Sequence, residues 1–224
     1  MSRIKTSKKR AVVLLSGGLD SAVTLYFAVR KGYEPFCLIF DYGQRHSKEI
    51  SAAKSVARSC GSDFSVVKIS LPWKGSSLTD KKLKVPDEVK EGIPSTYVPA
   101  RNIIFLSFAL SCAEATGAEA IFIGAHAQDY SGYPDCRPQF YRAFKKVIKA
   151  GTKSGVENKK IEMVTPLIDK TKAQIIRLGK SLGVPFGLTW SCYRGKSKPC
   201  GKCDSCFYRA KGFREARLID PGTR

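Results

Sequence analysis

Residues 11–32, AVVLLSGGLDSAVTLYFAVRKG, constrain the fold more than any other stretch. Val12, Val13, Leu14 and Leu15 form a short apolar run ended by Gly17 and Gly18, which predicts a buried strand. Leu19, Val23, Leu25, Tyr26 and Val29 then gather apolar groups mostly on one helical face until Gly32. The S-G-G-L-D-S turn therefore sits between a strand and a helix N-terminus. Unpaired backbone N–H groups and the positive end of the helix dipole favour an anion there, and Gly17 and Gly18 let the backbone come close to it. Neither G-x-x-x-x-G-K-[ST] nor G-x-G-x-x-G occurs, so the lysine of the first pattern is missing. Ser16 and Ser21 offer hydroxyls instead. Asp20 offers a carboxylate that repels phosphate unless a divalent cation lies between them, which suits ATP with magnesium. A plain strand-to-helix turn with Asp20 and Ser21 as helix formers is the alternative, and the complete six-residue pattern argues against it.

The alternation continues. Strand-like runs at residues 36–40, 65–69 and 120–124 are separated by helical patterns at 48–60 and 102–115, which predicts an α/β fold: a parallel sheet with helices on both faces. Further helices are expected at 140–150 and at 171–182, the latter capped by Thr171, with the short apolar IEMVTPL between them. Residues 71–99 form a long connection with four prolines, a functional or partly mobile loop. Three parts are expected: a basic tail (1–10), the α/β unit (11–185) and a segment rich in Gly, Pro, Lys and Cys (186–224). With 224 residues, 43% of them hydrophobic, and no run of membrane-spanning length, the chain reads as a soluble, cytoplasmic protein. Its formal charge of +20 suits polyanionic partners, nucleotides or RNA, although a lysine-rich surface explains it equally well.

Ligands of such sheets bind outside the carboxyl ends of the strands, so the segments that follow them are read together. In DYGQRH, Arg45 offers a planar cation for phosphate, Gln44 can read an adenine edge, and His46 is a proton shuttle or merely part of a capping turn. Arg101 of PARN starts a helix and can reach an anionic ligand or pair with a carboxylate. DYSGYPDCR brings Asp129, Tyr130, Tyr133, Asp135 and Arg137 together, a pocket for a flat heterocycle whose N–H donors meet a carboxylate. Cys136 reads as a pocket-lining thiol rather than a nucleophile.

Cys37, Cys60 and Cys112 stand in apolar contexts, whereas SCYRGKSKPCGKCDSC gives Cys192, Cys200, Cys203 and Cys206 the spacing C-x7-C-x2-C-x2-C. Four thiolates with turn-forming Gly201 fit a closed tetrahedral zinc site of structural type. Iron–sulfur ligation and redox chemistry are the alternatives.

SGGLDS resembles the PP-loop of N-type ATP pyrophosphatases. In series with DYGQRH, GIPSTYVPARN, DYSGYPDCRPQF, TPL before Lys170, SCY and CGKCDSC, it resembles the 7-cyano-7-deazaguanine synthase (QueC) family over nearly the whole chain. The resemblance implies a Rossmann-like, adenine nucleotide alpha hydrolase-like unit with a small zinc-binding segment. It implies an ATP-dependent C–N ligase that turns 7-carboxy-7-deazaguanine and ammonia into the nitrile, for queuosine or archaeosine in tRNA. It also implies a homodimer. Leu15 through Ser21 match its nucleotide loop, with Ser16, Asp20, Ser21 and Arg101 expected to be catalytic and Asp20 to position magnesium. Tyr133, Asp135 and Arg137 are assigned to the deazaguanine pocket, and the four clustered cysteines match the family's zinc ligands. Two other readings stay open: a PP-loop enzyme acting directly on tRNA, and a family-derived protein that conjugates the activated deazaguanine to a macromolecule.

Overall fold

The computed structural model of the protein describes residues 8–45, 47–87, 92–126, 132–194 and 198–223. Five parallel strands, β1 (Lys9–Leu14), β2 (Tyr33–Asp41), β3 (Asp63–Lys68), β4 (Ala120–Phe122) and β5 (Glu162–Val164), lie in the order β3-β2-β1-β4-β5. The described helices are α1 (Leu19–Arg30), α2 (Ser47–Ser59), α3 (Arg101–Thr116), α4 (Pro138–Gly151), the single turn α5 (Lys153–Val156), α6 (Lys172–Ser181) and α7 (Asp204–Ala216).

Alternation along the strands sends side chains to two cores. Val13, Cys37, Ile39 and Phe122 meet apolar groups of α1, α2, α6 and α7, while Val12, Leu14, Leu38 and Ile121 meet those of α3 and α4. Both faces of the sheet are thus covered, which is why its strands read as continuous apolar runs. After β3 the chain crosses over through α3 to β4 on the far side of β1. The order reverses there, opening a crevice at the carboxyl ends of β1 and β4.

The predicted strands and helices are present within a few residues, and Thr171 caps α6 in a reciprocal box with Gln174. Three differences have physical reasons. Strand β1 begins at Lys9, inside the expected basic tail, because Lys9 and Arg10 pair with Tyr33 and Glu34 of the longer β2 while their side chains stay exposed. IEMVTPL is too short for its periodicity to be read, and pairing of Met163 with Ile121 makes it the edge strand β5. Helix α7 has no clear apolar stripe in DSCFYRAKGFREA, yet it packs along α6 and puts Phe213 and Ala216 into the same core as β1. Among the described residues, no helix is long and apolar enough to cross a membrane.

Candidate active site

The turn after β1 holds itself in shape. Ser21 Oγ donates to the Gly18 carbonyl (3.0 Å) and accepts from the Ser16 N–H (3.2 Å) and hydroxyl (3.1 Å). Gly18 is the N-cap of α1, and its carbonyl accepts from the Ala22 N–H. Gly17 has φ +82°, and a Cβ there would come within 2.3 Å of the Glu49 carbonyl oxygen and 2.7 Å of the Ala53 nitrogen. Its glycine is therefore demanded by α2 packed behind the loop, not by the ligand side as the sequence suggested. A Cβ on Gly18 would meet nothing closer than 3.4 Å. Leu15 and Leu19 bury their side chains in the core beneath.

A cavity of about 310 Å³ opens over this turn, walled by the carboxyl ends of β1, β2 and β4, by α3, by the connection before it, and by the first part of α7. At its loop end, Lys172 Nζ, at the first position of α6, donates to both Asp20 oxygens at 2.8 Å and lies 2.9 Å from His126 Nε2. His126 Nε2 is 3.5 Å from Asp20 Oδ2. Burial pushes the Asp20 carboxyl up, but Lys172 and His126 outweigh it and hold the group well below the usual carboxylate range.

Toward α3, Arg101 faces Tyr42, Tyr133, Cys136 and Asp135. Burial opposes its charge, and these neighbours more than restore it. Burial pushes the Tyr42 hydroxyl up, against a hydrogen bond with Arg101. Glu49, in the first turn of α2, lines the same space, and burial raises its carboxyl to about 7 against the pull of Arg101. Tyr133 also lines the cavity, its hydroxyl 2.9 Å from Thr96 Oγ1.

Beside the cavity, the sulfurs of Cys192, Cys200, Cys203 and Cys206 lie within 4.8 Å of one another. A tetrahedral ion with sulfurs at about 2.3 Å needs them about 3.8 Å apart, so this donor set fits one metal. Backbone N–H groups of Arg194 and Cys200 point at Cys192 Sγ, and those of Lys202 and Cys203 at Cys200 Sγ, as around thiolates. The segment touches the loop directly: the Trp190 N–H donates to the Gly17 carbonyl at 2.9 Å.

Comparison with known proteins agrees with this arrangement. The family model described as queuosine biosynthesis protein QueC matches residues 10–217. The chain belongs to the QueC family. It is 55% identical over 214 residues to the 7-cyano-7-deazaguanine synthase of Acetivibrio thermocellus, covering 95% of this chain and 96% of that one. It is 52% identical to the synthase of Saccharophagus degradans, covering 96% and 97%. Among solved structures, NMN synthetase from Francisella tularensis aligns with a TM-score of 0.50 at 16% identity over 96% of this chain and 89% of that one, which shows a shared fold.

Within this QueC fold the predicted residues divide into two sets. Leu15, Ser16, Gly18, Leu19, Asp20, Ser21, Gln44, Arg101 and Tyr133 line one cavity. Arg45 does not line it: its guanidinium donates to the carbonyls of Ser77, Asp80 and Leu83 and so ties down the long connection, leaving no fork for phosphate. Gln44, also in the lining, sits at the end of β2, where it accepts from the Tyr42 N–H and donates to the Phe40 carbonyl. Asp135 lies behind the wall, where Oδ2 accepts from the Asn102 N–H at 2.9 Å and caps α3; among the described residues neither it nor exposed Arg137 is part of the lining. His46, Asp129 and Tyr130 lie outside the described residues. Lys172, His126 and Glu49 are among the cavity residues that the sequence reading missed. Lys172 gives no local signal. His126 stands just past a strand end and Glu49 in a helix first turn, positions that could have drawn attention.

Proposed function

We propose that this QueC-family enzyme converts 7-carboxy-7-deazaguanine and ammonia to 7-cyano-7-deazaguanine at the expense of ATP, within queuosine precursor biosynthesis. The observation that carries this reading is identity of 52–55% over at least 95% of the chain to proteins named for that activity. The self-held loop beside a cavity lined by a half-buried arginine supports it.

In this reading the ATP phosphates lie over residues 16–21, where the N–H groups at the start of α1 take up charge that develops on the departing pyrophosphate. Magnesium fits beside Asp20, and when bound it screens phosphate charge. Arg101 holds the substrate carboxylate and Tyr133 offers a face to the heterocycle. The carboxylate oxygen attacks the α-phosphorus, pyrophosphate leaves, and ammonia displaces AMP to give the amide with loss of a proton. The amide oxygen is then adenylated by a second ATP, and loss of AMP and a proton leaves the nitrile. Two activations are needed because neither oxygen departs unaided. The four cysteines hold a structural zinc ion, a role suited to a closed thiolate shell.

The test is incubation of the metal-loaded protein with ATP, magnesium, ammonium and 7-carboxy-7-deazaguanine, with nucleobase and nucleotide products followed by mass spectrometry. Free nitrile with AMP, absent in Asp20→Ala, is the expected result; unchanged acid would overturn the reading. One observation favours direct contact with tRNA as a second reading. From Cys136 to Val156 the chain has six basic residues and no acidic one, and Arg142, Lys145, Lys146 and Lys149 form an exposed stripe on α4. Binding of tRNA that weakens steeply with salt would support it.

A further inference from the structure

The loop lacks the lysine of other phosphate loops, and the fold returns one from 152 residues away. Lys172 lies 2.8 Å from both oxygens of Asp20 and is only 11% exposed. It is a built position. The Thr171 capping box fixes the start of α6. Helix α7 fixes the side chain, since a Cβ on Gly212 would come within 2.3 Å of Lys172 Cγ and 3.0 Å of its Cβ. With both oxygens engaged by one ammonium, Asp20 has a counter-ion already in place. A divalent cation reaching the same carboxylate must displace that ammonium, because two cations on one group at these distances repel strongly.

We propose that Lys172 and the magnesium accompanying ATP compete for the Asp20 carboxylate. Lys172 keeps Asp20 paired until metal and nucleotide arrive together, and the released ammonium then turns from Asp20 to the incoming phosphates. Metal without nucleotide finds the site blocked, because only the triphosphate gives the displaced lysine a new anion. The lysine is thus a positioning residue, and the inference rests on the ATP-binding part of the reading above.

The experiment measures Mn²⁺ affinity by electron paramagnetic resonance, with and without α,β-methylene-ATP and with no deazaguanine present. Wild-type protein should bind Mn²⁺ alone weakly and bind it well with the nucleotide. Lys172→Met should bind Mn²⁺ alone at least about tenfold more tightly than wild type, and that gain should vanish in Lys172→Met/Asp20→Asn. Lys172→Arg, which keeps the charge, should stay weak. Gly212→Ala keeps the lysine but displaces its stem, and should show part of the gain even if Lys172→Met does not fold. Unchanged affinity in both Lys172→Met and Gly212→Ala, or a gain that survives loss of the Asp20 carboxylate, overturns the proposal. A protein with this manganese pattern that leaves 7-carboxy-7-deazaguanine unchanged would defeat the synthase reading alone. A flat manganese response in an active synthase would defeat this one alone.

Discussion

The two walls that meet at Gly17 are held by opposite means. The side of the Ser16–Ser21 loop is local: Ser16, Gly18 and Ser21 bond to one another within six residues, above leucines buried in the core. The cysteine side has little apolar substance of its own. Val85, Trp190 and Tyr193 gather around the four thiols, and Arg194 reaches across to the carbonyls of Val85 and Pro86 in the long connection. Four thiolates this close, three of them buried, repel one another unless a cation lies among them, so that wall is expected to depend on a bound metal. The lesson is that a loop held locally is still tied to a segment remote in sequence, through the bond from Trp190 to Gly17.

That contrast can be broken most severely by removing the metal. Cys203→Ser, or stripping with a chelator, should lower Tm by about 10 °C, taking 2–4 °C per kcal/mol for a chain of this size. Nucleotide affinity should fall with it while the far-ultraviolet signal of the sheet persists; metal content and calorimetry on the same samples check this. If the loop kept its nucleotide affinity without metal, the two walls would be independent.

On the other side, Gly17→Ala should destabilise the protein by about 2–4 kcal/mol in urea unfolding, because the new methyl meets α2 backbone at a positive φ. Its cysteine site should still bind metal, which separates a local lesion from a spreading one.

The smallest effect sits at the junction. Glu49 backs Gly17 with its carbonyl and presents to the cavity a carboxyl raised from 4.5 to about 7. The folded state holds this proton where the unfolded state has released it, so stability should fall as pH rises from about 4.5 to about 7. Glu49→Gln should flatten that decline by about 1–2 kcal/mol in metal-loaded protein, measured by unfolding at several pH values.

Much of this architecture was legible in residue order. Short apolar runs and period-3.6 patterns placed β1 to β4 and most of the helices, and Thr171 announced its cap. β5 and α7 escaped because three residues are too few to show a period and because α7 buries Cys206, Arg209, Gly212 and Ala216 beside a single phenylalanine, Phe213. At the site, Ser16, Gly18, Asp20, Ser21, Arg101 and Tyr133 were all expected and all face one cavity. Arg45, Gln44 and Asp135 were assigned to ligands by residue type, and the structure gave their polar atoms to backbone partners. A guanidinium or a carboxylate looks the same in sequence whether it meets a ligand or a carbonyl.

The sequence by itself determined what is short in range: the strand-turn-helix at residues 11–32, the donor set of four cysteines, the alternation that demands a parallel sheet, and the family. Only the tertiary structure decided which cation meets Asp20, why residue 17 must be glycine, and that the cysteine segment walls the loop's cavity. Each of these depends on atoms brought within about 4 Å from distant parts of the chain, as Lys172 is to Asp20. Such contacts are fixed by how helices pack on the two faces of the sheet, and no local spacing of residues encodes that geometry.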